Sequence, residues 1–201
     1  MISGSGKTVP EDTGTYPKSA LVTTDTEIES QSMVDYLCSC GHKRIAFITS
    51  GDEGLGRCHL NGYKRSLEKN GLEYDEKLII RLKPGKRIYT IENGYNCTCE
   101  LLKSGVDFSC IYAISDTLAV GACRAVIDSG KRVPEDYCVA GADGQDIAEY
   151  YHPSITTLKY PRVEIALQSV RTLFDLINRK KVVKRQILGG TLIDRESTRK
   201  L

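Results

Sequence analysis

The stretch from Ile111 to Leu158 constrains the fold of this chain more than any other. It reads as strand, carboxylate, helix, Gly turn, second strand, second carboxylate. The β-formers Ile111, Tyr112 and Ile114 stop at Ser115-Asp116, and Leu118, Ala119, Ala122, Cys123, Val126 and Ile127 then recur with helical spacing up to Gly130. Pro134 opens a turn into Tyr137–Ala142, which ends at Asp143. Two strands joined by a helix run parallel, so Asp116 and Asp143 are expected at one edge of one sheet. In an open parallel sheet that edge is where ligands bind.

Strands and helices alternate elsewhere too. Ile28, Met33, Val34 and Leu37 mark a helix closed by Gly41, Ile45 to Thr49 a strand, and Leu60, Tyr63 and Leu67 a helix. A strand follows from Leu78 to Leu82, and a helix carries Tyr95, Thr98, Leu101 and Leu102. Pro161 suits a first helical turn, and Val163, Ala166, Leu167, Val170, Leu173, Phe174 and Ile177 give the clearest apolar stripe. The segment from Ile155 to Leu158 is expected to cross out of the sheet, and Gln186 to Ile193 to close the fold as a β-rich segment. The pattern predicts an α/β fold built on a doubly wound parallel sheet.

Bulk properties narrow the function. The formal net charge is +2 with both signs interspersed, which argues against a stand-alone nucleic-acid binder. The polar first eighteen residues read as a tether rather than a signal peptide, and no run reaches membrane-spanning length. The expected compartment is the cytosol, with the eight cysteines as free thiols. Cys38-x-Cys40 and Cys97-x-Cys99 diverge on a helix, so no metal site is expected. Gly4-Ser5-Gly6-Lys7-Thr8 resembles the end of a phosphate-binding loop but lacks the earlier glycine. Gly51-x-x-Gly54-x-Gly56 reverses the dinucleotide spacing, so no cofactor is expected.

Several segments together resemble the effector-binding domain of the lactose-repressor/galactose-repressor family of bacterial transcription regulators. They are Gly41-His42-Lys43-Arg44-Ile45, Gly62-Tyr63, Asp116, Gly130 to Asp136, Gly141-Ala142-Asp143, Pro153 to Thr157 and Leu192 to Ser197. The resemblance spans roughly Ala20 to Thr198. It implies a type I periplasmic-binding-protein-like fold of two subdomains, with three crossings and an N-terminal helix-turn-helix headpiece. Laid on that pattern, residues 26–157 and 183–201 form a complete C-terminal subdomain. Residues 20–25 and 158–182 are a remnant of the other subdomain, after a tether at 1–19. The chain looks truncated, and the stripe from Val163 to Ile177 is expected to lie open.

The resemblance also implies the site. Asp116 matches the family's effector-binding Asp, Tyr89 an aromatic that stacks on the ligand, and His59 a position usually held by Arg, with Arg57 two residues earlier. Asp143 faces the same hollow. His cannot form the two-pronged contact of Arg, and Ala142 replaces an aromatic, so the ligand class stays open. Simpler roles compete: Asp116 could cap the helix beginning at Thr117, Asp143 a turn at Gly144, and His42 could sit on a helix dipole. The implied function is binding of a small sugar or nucleoside-like effector by a homodimeric regulator without catalysis. Operator DNA would be read by a headpiece outside this sequence, and no membrane is involved. A sugar-binding receptor of a transport system is the alternative. An enzyme using Asp116 and Asp143 as an acid/base pair is weaker, because no nucleophile accompanies them.

Overall fold

In the computed structural model, which describes residues 19–83, 85 and 87–201, the chain begins with β1 (Leu21–Thr23), α1 (Thr26–Ser39), β2 (Ile45–Thr49) and α2 (Gly54–Lys69). It continues through β3 (Ile79–Arg81), α3 (Ile91–Lys103), β4 (Cys110–Ala113), α4 (Asp116–Asp128) and β5 (Cys138–Asp143). The last elements are α5 (Asp146–Tyr150), β6 (Thr156–Lys159), α6 (Arg162–Ile177), β7 (Arg185–Ile187) and β8 (Thr191–Ile193). Residues 1–18 of the expected tether, with the Gly4–Thr8 motif, fall outside the described residues.

Six strands form the main sheet in the order β3-β2-β4-β5-β6-β8. The first five are parallel, and β8 closes the edge antiparallel to β6. From β2 the chain first adds β3 on one side, then β4, β5 and β6 on the other. The direction of winding therefore reverses between β2 and β4. The strands β2 and β4 are buried at every position because helices cover both faces of the sheet. Inside, Phe47 stacks on Tyr63 of α2 at 5.0 Å and on Tyr112 of β4 at 5.1 Å between ring centroids.

Helices α3 and α4 approach very closely, and glycine is the reason. A Cβ on Gly94 would run into the Leu118 carbonyl oxygen, and one on Gly121 into the Ile91 carbonyl oxygen. Each glycine admits the backbone of the opposite helix.

A second, two-stranded sheet pairs β1 with β7 in parallel, and α6 packs against β1. This revises the sequence boundaries. Leu158 does not leave the sheet: it pairs with Ala142 and Leu192, and the chain crosses after Lys159. The β-rich segment near the end is two strands in different sheets, because Arg185–Ile187 finds its partner in Leu21–Thr23 and only β8 returns to the main sheet. The stripe on α6 is open as expected. The helix buries Ser169 and Thr172, while Val163 is 72%, Phe174 59% and Ile177 65% exposed.

Candidate functional site

The five parallel strands end on one rim, and in open parallel sheets the point where the winding reverses, here between β2 and β4, is where ligands bind. Ser50–Glu53 follows β2, Ser115 follows β4, Asp143–Gln145 ends β5, and Tyr160 follows β6. Strands β4 and β5 are parallel neighbours, with Tyr112 level with Ala140, so Asp116 and Asp143 share this rim as the sequence implied.

Asp116 is not the cap of its helix. The Ser115 hydroxyl accepts from the Leu118 amide at 3.3 Å, and Asp116 is the first residue inside α4. Its carboxylate reaches sideways: Oδ1 accepts from the Thr157 hydroxyl at 2.6 Å and Oδ2 from the Gln145 amide at 2.6 Å. The side chain is fully buried. Burial pushes its pKa up to about 6, against the lowering effect of Thr157 and Gln145, and the charge of Asp143 adds to the rise. Asp116 is thus a tie between α4, β6 and the loop after β5. Both of its oxygens are engaged within the protein and the side chain is buried.

Asp143 is the carboxylate that reaches the surface. Its φ of 107° lies where L residues are strained. The turn continues through Gly144, φ 64°, where a Cβ would lie 2.6 Å from the Lys159 Cα. Asp143 Oδ2 accepts from Gln145 Nε2 at 2.9 Å, and Oδ1 lies 3.8 Å from the Arg162 guanidinium at the start of α6. Burial raises its pKa, with Gln145 and Arg162 opposing the shift. The expected turn cap is therefore replaced by a side-chain bond to Gln145.

His59 is buried in α2, and its Nδ1 has no partner among the described residues. Burial alone lowers its pKa to about 4, so the ring is neutral. Thr49, the last residue of β2, is also buried, and its hydroxyl has no partner among the described residues. Arg57 is exposed on the first turn of α2, and Tyr89 is 45% exposed in the loop before α3. Among the described residues no aromatic ring packs on Tyr89, and its stacking role rests on the resemblance. The loop from Lys83 to Tyr89 includes Pro84 and Lys86, which are outside the described residues.

Sequence reasoning missed Thr157, Gln145 and Arg162. Thr157 lay within the quoted Pro153–Thr157 motif, and its alternation with the buried Ile155 could have signalled it. His42 was also misread: it is buried, with Nδ1 2.9 Å from the Ser109 hydroxyl and a pKa lowered by burial. A neutral ring gains nothing from a helix dipole. All eight cysteines are free, four of them buried. Among the described residues no cluster of three or more His, Cys, Asp or Glu is placed to hold a metal. No described helix is long and apolar enough to cross a membrane.

A doubly wound sheet with polar residues at its switch point, joined by three crossings to a second small sheet, is the architecture of an α/β ligand-binding domain. Residues 34–198 match the periplasmic binding protein-like domain family, and the chain belongs to that family. It is 40% identical over 146 residues to the HTH-type transcriptional regulator MalR of Clostridium butyricum, covering 73% of this chain and 42% of that protein. A sugar-binding transcriptional regulator of the LacI family from Escherichia coli, solved with phosphate, superposes with TM-score 0.82 and 31% identity, covering 90% of this chain and 64% of that one. The CelR–cellobiose complex superposes with TM-score 0.81 and 31% identity, covering 94% and 56%. These relatives are regulators of the lactose-repressor type. The chain spans less than half the length of the curated relative, and less than two thirds of the two solved chains on average.

Proposed function

We propose that the chain is the effector-binding unit of a lactose-repressor-type transcription regulator. The observation that carries this is the polar character of the strand ends and the helix after β2: Thr49 Oγ1, at the end of β2, and His59 Nδ1, in α2, are buried without a partner among the described residues, and Asp143 ends β5 in a strained conformation. Buried polar atoms normally find partners, and a crevice with a few unmet ones is built for a hydrogen-bonding ligand. Polyhydroxylated or nucleoside-like molecules supply such groups, and the cellobiose bound by a similar protein supports the sugar class.

In this reading Asp143 and His59 contact the effector, and Arg57 and Tyr89 line the outer edge. Asp116 positions the Asp143–Gln145 loop. Effector closes the two subdomains of the full-length protein and shifts its affinity for operator DNA, which a helix-turn-helix headpiece would read. Dimerisation, a cytosolic setting and absence of catalysis go with the same reading, supported by the relatives being transcription regulators. A thermal-shift panel of cellobiose, maltose, ribose and cytidine tests it. A binder at a hundredfold over its Kd adds about 2.7 kcal/mol. Silence from every compound would count against the reading.

A further inference from the structure

Glu29 is the least expected charged residue in the protein. It lies on the inner face of α1, one turn before Met33, is 5% exposed, and neither carboxylate oxygen closes a well-formed hydrogen bond among the described residues. Thr24, Gly190 and Tyr160, one from each place where the chain passes between the two sheets, lie within interaction range of its carboxyl. Thr24 follows β1 and lies beside the carboxyl. Gly190 precedes β8, and its missing Cβ would sit 2.9 Å from Glu29 Oε1. That same point is 3.3 Å from the Lys159 carbonyl oxygen and 3.5 Å from the Tyr160 ring, where the chain leaves β6. Any rotation of one sheet against the other must move these contacts.

We propose that Glu29 is a proton-controlled hinge pin, on which the three crossings pack while its carboxyl is neutral and from which they loosen when it ionises. The groups facing it favour the neutral form. Asp25, at the cap of α1, adds a like charge. Tyr160, after β6, and Tyr112, on β4, are phenols within range, and Tyr160 in turn faces Asp116 and Asp143. Among the described residues no lysine or arginine contributes to the shift at Glu29. Burial is the largest influence and moves its pKa from 4.5 to about 7, while Thr24 and the Gly190 amide oppose this only in part. A neutral carboxyl needs no counter-charge; a carboxylate in this position lacks one. The inference does not depend on the sensing reading.

Hydrogen–deuterium exchange of the amides at Arg162, Leu188 and Gly190, between pH 4.5 and 8.5 and corrected for intrinsic rates, tests the proposal. In the unsubstituted chain, protection should fall about tenfold per pH unit as pH rises from about 5 to about 7, then level off. Asp116 and Asp143 have raised pKa values too, so Glu29→Gln assigns the effect: its protection should stay at the low-pH level throughout. Flat protection in the unsubstituted chain, or the same fall in Glu29→Gln, would overturn the hinge role. If Glu29→Gln does not fold, the 13C shift of the Glu29 carboxyl in the unsubstituted chain decides. A midpoint near 7 together with the fall in protection upholds the proposal, and a midpoint near 4.5 overturns it.

Discussion

Asp116 and Thr157, from α4 and β6, meet through a 2.6 Å hydrogen bond that fixes the floor of the rim. The same carboxylate takes the Gln145 amide, so one buried side chain ties together three segments that are distant in sequence.

Substituting Asp116 with alanine leaves the Gln145 amide and the Thr157 hydroxyl without their acceptor. Each unpaired buried group costs about 1–3 kcal/mol, so Asp116→Ala should lose about 3 kcal/mol in urea denaturation, with Asp116→Asn losing less. Effector response, where present, should disappear in Asp116→Ala because the Asp143–Gln145 loop loses its anchor. A loss below about 1 kcal/mol would show that the tie is not formed in solution.

His59 gives stability an acid limit. Its pKa is depressed to about 4 in the folded chain, so between there and its usual 6.5 the unfolded chain binds the extra proton. Its contribution is full above pH 6.5 and declines as pH falls toward 4, by about 1.4 kcal/mol per unit at most. Denaturation midpoints measured from pH 7 to 4 should show this decline, and His59→Phe should remove it. The carboxyls of Asp116 and Glu29, with raised pKa values, act in the opposite sense over overlapping pH, so the difference between the two proteins is the quantity to read.

Much of this architecture was legible in the chain. Apolar β-runs at Ile45–Thr49 and Ile111–Ile114, each followed by a helical pattern, forced parallel strands and put Asp116 and Asp143 on one rim. The rest depended on contacts that no local pattern announces. Asp116 is closed off by Thr157, 41 residues away, and by Gln145, 29 residues away. The partner of Arg185–Ile187 is at the opposite end of the chain, so periodicity could not assign that strand to a sheet. Glu29 was readable in principle, since helical spacing sets it on the same face as the fully buried Met33. A carboxylate in an apolar stripe is easily passed over as a break in the pattern.

Close helix packing offers a test of the fold itself. Gly94→Ala places a methyl against the Leu118 carbonyl and must push α3 away from α4. Overpacking of this kind costs about 1–3 kcal/mol, and Gly121→Ala should cost a similar amount. Thermal denaturation of the two single variants measures this directly. An unchanged midpoint would mean that the two helices do not make this close contact in solution.

The outward stripe of α6 should make the isolated chain sticky. Val163, Leu167, Val170, Phe174 and Ile177 are all exposed, and surfaces of this kind drive self-association or dye binding. Replacing Leu167 and Phe174 together with glutamate should lower both while leaving stability within about 0.5 kcal/mol, the usual range for surface changes. Monomeric elution of the unsubstituted chain without dye binding would contradict this.

The most direct test of the sensing account is a residue-resolved titration. Amide NMR spectra recorded with cellobiose, maltose, ribose and cytidine should show, for at least one of them, shifts concentrated at Ser50–Glu53, Ser115 and Asp143–Gln145, and Asp143→Ala should abolish them. Shifts confined to other surfaces, or none with any of the four, would contradict the assignment of the rim as an effector site.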